Sequence, residues 1–201
     1  MSQAHHEAGS INQTSHSALI TQTLERAERP IVTTKFGPES AVLLHMLTQV
    51  APDIPVVWVD TGHNTRSTHA FAAHLRERLA LNLSIWQPRG KPILEGVPSL
   101  DDPEHASFTQ QVKLEPFQRA LNTLRPDVWF SALRHEQTEH RAGLQAVHKS
   151  PKGYDKIYPL LDWTSTDINA YLRDHDLPSE TNYFDPTKGE PKRECGLHLA
   201  F

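Results

Sequence analysis

The sequence has a single cysteine, Cys195, in the run Lys192-Arg193-Glu194-Cys195-Gly196-Leu197-His198. A lone cysteine is ordinarily a small buried hydrophobe. Its neighbours here point elsewhere: Lys192, Arg193 and His198 favour the thiolate, Gly196 permits close approach of the backbone to a ligand, and only Glu194 opposes ionisation. A thiolate in such a setting is a nucleophile. One cysteine also sets limits, because it closes no intrachain disulfide, forms no Cys-x-x-Cys pair and cannot by itself hold a zinc ribbon or a four-thiolate iron–sulfur cluster. Any redox step at Cys195 must take its second thiol from another molecule. His198 could stabilise the thiolate or supply a proton, and a hydrogen-bonding role in docking the tail fits it equally well.

A second group of residues suits an anionic ligand. Thr33-Thr34-Lys35-Phe36-Gly37-Pro38-Glu39-Ser40 forms a short turn into a helix, whose unpaired N–H groups and dipole suit a phosphate. Asp60-Thr61-Gly62-His63 makes another turn, and Arg134 stands with Glu136, Gln137 and Arg141 in a third. Each alone reads as a turn with solvated charges. The elements around them change that weighting. Strands are expected at Ile31–Thr34, Pro55–Asp60, Leu83–Trp86, Asp127–Leu133 and Lys156–Leu161, where short β-branched or apolar runs end in turn residues.

Helices are expected between the strands. Ala18–Ala27 carries Leu19, Ile20 and Leu24 at helical spacing, Val42 to Val50 shows one apolar side, and Ser67–Leu79 repeats Phe71, Leu75 and Leu79. Pro116 opens a helix with the stripe Leu114, Phe117, Leu121 and Leu124, and Thr164 with Asp167 marks a capped start before Ile168. The alternation predicts an α/β fold: an open, mostly parallel sheet with helices on both faces. Such sheets bind ligands beyond the carboxyl ends of their strands, which is where all three turns fall.

The 201 residues suit one domain, read as a flexible polar leader over 1–17, an α/β domain over 18–176 and a tail over 177–201 that carries Cys195. The Pro-rich stretch Gln87–Ser107 reads as a long loop. A formal charge of -4 argues against a nucleic-acid binder, and no apolar run is long enough for a membrane span. The leader lacks a basic start and an apolar region, so a cytoplasmic address is expected. Of the 13 histidines none has a partner four residues away, and no metal site is expected.

Several stretches together resemble the phosphoadenylyl-sulfate reductases: Phe36-Gly37 before a helix, Asp53-Ile54-Pro55-Val56 leading to Asp60-Thr61-Gly62, and Lys113-x-Glu115-Pro116-x-x-Arg119-Ala120-Leu121. Trp129 to Gln137 with Arg141, Pro159-Leu160-Leu161-Asp162-Trp163 and Glu194-Cys195-Gly196-Leu197-His198 complete the likeness, which runs from about Pro30 to His198. The resemblance implies an adenine nucleotide α-hydrolase-like fold, and an enzyme that converts 3'-phosphoadenylyl sulfate to sulfite and adenosine 3',5'-bisphosphate. It implies attack by Cys195 on the sulfate sulfur, an S-sulfocysteine intermediate, and thioredoxin or glutaredoxin as reductant. A dimer and no resident cofactor belong to the same expectation. Nucleotide contacts are implied at Thr33, Thr34, Lys35, Phe36, Gly37, Asp60, Thr61 and Gly62, with Lys113, Arg134 and Arg141 toward phosphate or sulfate oxygens and Gln137 as a further substrate-binding residue.

The chain also departs from the family pattern. Thr109-Gln110-Gln111 stands where the cluster-bearing adenylyl-sulfate reductases carry paired cysteines, which favours the 3'-phosphorylated substrate. Thr33-Thr34-Lys35 replaces a serine-rich first turn, and Arg66-Ser67-Thr68 replaces the usual Pro-Glu-Thr. The segment before Cys195 is short, leaving Lys188, Lys192 and Arg193 in place of the arginines that serve the sulfate end. Three other readings stay open: a reductase of adenylyl sulfate, an ATP pyrophosphatase, which normally has a glycine pair after its first strand, and a nucleotide-binding protein without catalysis.

Overall fold

In the computed structural model the described residues are 16–90, 96–188 and 201. The leader up to residue 15 lies outside them, as do Lys192, Arg193, Cys195 and His198. The chain opens with α1, described over 16–24, then β1 (Pro30–Thr34), α2 (Ser40–Val50), β2 (Pro55–Val59), α3 (Arg66–Arg78) and β3 (Asn82–Trp86). There follow α4 (His105–Thr109), a π turn at Gln110–Leu114, α5 (Glu115–Leu124), β4 (Val128–Phe130), β5 (Val147–Lys149), β6 (Asp155–Ile157) and α6 (Ser165–Asp174). The sheet order is β3-β2-β1-β4-β6-β5, parallel throughout except for β5.

Successive side chains of a strand point to opposite faces, and both faces here are buried. Val32, Val56, Trp58, Val128, Phe130 and Ile157 join residues of α2, α3 and α6 in one apolar cluster. Their neighbours Ile31, Val57 and Trp129 turn the other way, onto Phe117, Ala120 and Leu121 of α5. Two packed layers therefore fix the strands at the centre. At the α6 start the Thr164 hydroxyl accepts from Asp167 N at 3.2 Å and the Asp167 carboxylate accepts from Thr164 N at 2.8 Å, the reciprocal cap expected from the sequence.

Three expectations are corrected. The long loop ends at His105 rather than after Ser107, and helix then runs without a break to Leu124. Pro116 is tolerated inside that run because the π turn before it already interrupts the ordinary ladder: Glu115 N bonds to Gln110 O. The last parallel strand stops at Ile157, since Leu161 N and Trp163 N turn back onto Tyr158 O and Leu160 O at 3.2 and 3.0 Å. The edge strand β5 was not expected at all. Its three residues are exposed and include His148 and Lys149, so it has no apolar period to betray it.

Candidate functional site

β1 lies between β2 and β4, so the connections leaving β1 and β4 run in opposite directions and the sheet opens a crevice at their carboxyl ends. A cavity of ≈ 670 Å³ occupies it, a volume that suits a nucleotide. β1 and the turn after it bring Thr33, Thr34 and Lys35 to its lining, and the segment after β4 brings Ser131 and Arg134. Apolar surface comes from Val57, Trp58 and Phe117.

The turn after β1 is held in an uncommon shape. Phe36 has φ +51, a conformation that costs a bulky residue energy and needs support from its surroundings. Support comes from the Thr34 hydroxyl, which accepts from Phe36 N at 3.1 Å, and from a wholly buried ring set edge-on to Trp58 and Phe71 at 5.1 and 6.5 Å. Gly37 then passes so close to Lys35 that a Cβ there would lie 2.9 Å from Lys35 Cε. Beneath the turn, Trp129 Nε1 donates to the Thr33 hydroxyl at 2.8 Å. After β2, buried Asp60 accepts from Gly62 N, Asn64 Nδ2 and Gln87 Nε2 at 3.1, 2.8 and 2.9 Å, which sets Thr61 and Asn64 on the cavity.

Charge along the far wall is organised as a network. Arg134 is 2% exposed, and its guanidinium is ion-paired to Glu39 and Glu136 and donates to Trp163 O at 3.0 Å. Glu136 is held below the usual carboxylate range first by the Ser165 hydroxyl, with burial opposing and Arg134 adding to the effect. Gln137 donates to Glu39 at 3.2 Å and accepts from Arg134 N at 3.2 Å and from the Arg141 guanidinium.

Residues 179–188 cross this end of the sheet as a strap. Ser179 Oγ donates to Pro38 O at 2.9 Å, and Asn182 O accepts from Thr65 Oγ1 at 3.1 Å. The strap is locked by Lys113, whose ammonium lies 2.8 Å from Asp185 Oδ2 and 2.9 Å from Thr187 Oγ1. Burial alone would raise the Asp185 pKa, but the Lys113 charge and the hydrogen bonds from Lys113 and Thr187 outweigh it and bring it down. Lys35 stands over the Tyr183 ring at 4.7 Å.

The phosphoadenosine phosphosulfate reductase domain profile matches residues 29–185. The chain is 42% identical to a phosphoadenosine 5'-phosphosulfate reductase of Synechococcus sp., over 84% of this chain and 85% of that one. It is 40% identical to the enzyme of the same name from Synechocystis sp., over 84% and 79% of the two chains. The chain belongs to the phosphoadenosine phosphosulfate reductase family. Its fold is that of a phosphoadenylyl-sulfate reductase from Candida auris in a phosphate complex, with a TM-score of 0.72 at 23% identity and 90% of both chains covered. The FMN adenylyltransferase of Candida glabrata shares the fold more distantly, with a TM-score of 0.64 at 13% identity, over 83% of this chain and 56% of that one.

In this reductase-family chain the cavity gathers Thr33, Thr34, Lys35, Thr61, Lys113, Arg134, Gln137, Arg141 and Lys188 from the residues expected by sequence. Four others serve it from outside the lining. The Phe36 ring is a core side chain, Gly37 shapes the turn, and Asp60 with Gly62 builds the next loop. Lys192, Arg193, Cys195 and His198 lie outside the described residues. The sequence reading missed Ser131, Asn64 and Tyr183 as lining residues. Ser131 directly follows β4 and could have been found by the same carboxyl-end rule; Tyr183 had no such signal, because its place depends on the strap.

Proposed function

We propose that this chain reduces 3'-phosphoadenylyl sulfate to sulfite and adenosine 3',5'-bisphosphate, with Cys195 as nucleophile and thioredoxin or glutaredoxin as reductant. The observation that carries the reading is family membership over 29–185, a span that includes nearly all of the switch-point cavity. The Cys195 thiolate attacks the sulfate sulfur, an S–S bond forms, the S–O bond to the nucleotide phosphate breaks, and the bisphosphate leaves. A thiolate of the reductant then attacks Cys195 Sγ. Sulfite departs with the electron pair, and the second thiol of the reductant resolves the mixed disulfide to leave it oxidised. Lys35, Arg141 and Lys188 bring positive charge to the cavity for the anionic groups of the nucleotide. A cytoplasmic address and a dimer belong to the same proposal; no helix among the described residues is long and apolar enough to cross a membrane.

The test supplies 3'-phosphoadenylyl sulfate or adenylyl sulfate with reduced thioredoxin and measures sulfite. More sulfite is expected from the 3'-phosphorylated nucleotide. Without thioredoxin, the wild-type protein should gain one sulfonate at Cys195 by intact mass, and added thioredoxin should remove it. Cys195→Ser should bind nucleotide but form no adduct, since a serine hydroxyl is un-ionised near neutral pH. Undiminished sulfite release by the serine variant would overturn the mechanism.

A further inference from the structure

Lys35 directly follows β1 and is exposed, and an exposed lysine ordinarily samples many rotamers. Two neighbours narrow the choice. The Lys35 ammonium stands 4.7 Å from the centre of the Tyr183 ring, whose negative face attracts a cation. The stem passes Gly37 so closely that a Cβ there would lie 2.9 Å from Lys35 Cε and 3.4 Å from Tyr183 Cγ. Gly37 does not have a positive φ, so its backbone would accept an alanine, and only the space beside it is taken.

Tyr183 is itself fixed from both sides. One residue before it, Asn182 O accepts from Thr65 Oγ1 at 3.1 Å, and two residues after it Asp185 pairs with the Lys113 ammonium at 2.8 Å. Ser179 Oγ donates to Pro38 O at 2.9 Å, which ties the strap to the turn that carries Lys35 and Gly37. The ring is thus placed by the start of α3, the π turn and the turn after β1, three segments far apart in the chain. Lys35 and Tyr183 both line the cavity.

We infer that Tyr183 is a positioning residue for anion binding: its ring and the bare Cα of Gly37 form a slot that holds the Lys35 ammonium at the cavity wall for a phosphate group of the nucleotide. The inference rests on the nucleotide-binding reading above. Lys35 supplies the charge, and Tyr183 acts through it. A cation already held in place loses less freedom when an anion arrives than one that must first be gathered from solvent. The effect of the ring should therefore appear with ligands that carry phosphate and not with the nucleoside.

The test measures binding of adenosine 3',5'-bisphosphate and of adenosine by calorimetry to the wild type, Tyr183→Leu, Tyr183→Phe and Gly37→Ala, each alone and combined with Lys35→Met. Tyr183→Leu should weaken the bisphosphate by about two- to fivefold, the range of one partly exposed cation–π contact, and leave adenosine unchanged. Tyr183→Phe keeps the ring face and should bind as the wild type does. Gly37→Ala leaves the strap contacts in place but displaces the Lys35 stem, and should weaken the bisphosphate as well. In the Lys35→Met background neither Tyr183→Leu nor Gly37→Ala should cost anything further. A Tyr183→Leu loss that persists undiminished in that background, or that is equal for adenosine, would overturn the inference, because the ring would then be packing the strap or touching the nucleoside. So would a Tyr183→Leu variant that binds the bisphosphate as tightly as the wild type. If the wild type binds neither ligand, the nucleotide-binding reading fails by itself, and acetylation of Lys35 by acetic anhydride in the ligand-free protein, followed by peptide mass, still decides the slot. That rate should rise by about twofold or more in Tyr183→Leu, where the ring no longer covers the ammonium, and an unchanged rate would sink the inference.

Discussion

Arg134 sits at the cavity wall with its guanidinium committed to Glu39, Glu136 and Trp163 O, so its first role is to hold protein groups in place. It ties the start of α2 to the segment after β4, the two sides of the crevice. Removing it leaves two carboxylates without their cation. Breaking a buried pair costs about 3–5 kcal/mol, and because Glu39 and Glu136 both reach solvent the cost should lie near the lower end. Arg134→Ala should therefore lower the melting temperature by about 6–12 °C for a chain of this size, as read by calorimetry. A melting curve that does not move would show that the arginine serves a ligand and little else. Arg134→Lys should recover only part of the loss, since an ammonium cannot span both carboxylates as the planar fork does.

The strap over 179–188 is pinned by the buried Lys113–Asp185 ion pair. Asp185 has a carboxyl pKa below its ordinary value of 3.8, so the stabilising contribution is complete above that value and is lost as pH falls through the lower, folded one. Amide protection factors in 179–188 should be high at neutral pH and fall below about pH 4, before those of the sheet strands. Lys113→Met should open the same segment at neutral pH, because it leaves Asp185 buried without its cation. Exchange in the strap that tracks the central strands at every pH would mean that the pair does not govern it. The Lys113 position itself follows from the π turn, which offsets the helix register just before α5.

For the molecule as a whole, the cavity exists because the strand order reverses direction at β1 and β4. β1, the segment after β4 and the strap all line the cavity, so the nucleotide proposed to bind there would stabilise the folded state by linkage. Adenosine 3',5'-bisphosphate at about a hundred times its Kd should add about 2.7 kcal/mol, equivalent to about 5–10 °C in melting temperature. Adenosine alone should give a much smaller shift, since it lacks the anionic groups proposed to meet Lys35, Arg141 and Lys188. No shift with the bisphosphate at any concentration would remove the cavity as the nucleotide site.

The sequence by itself determined the parallel sheet and the end of it at which the marked turns gather. Short β-branched runs alternating with helical periods allow little else, and the turns after β1, β2 and β4 are found at the carboxyl ends of their strands, the end at which open α/β sheets bind ligands. It also determined that a redox step here needs an outside thiol, since a count of one cysteine is independent of folding. The tertiary structure alone decided which of the marked residues face the cavity and which support it. Phe36 and Asp60 look like ligand groups in the chain, yet their side chains are used to hold the turns, because a buried ring and a buried carboxylate each need protein partners. β5 and the strap escaped the sequence for the opposite reason. Neither carries an apolar period, and each is placed by contacts with residues far away in the chain: β5 by pairing with β6, the strap by Lys113 and Thr65.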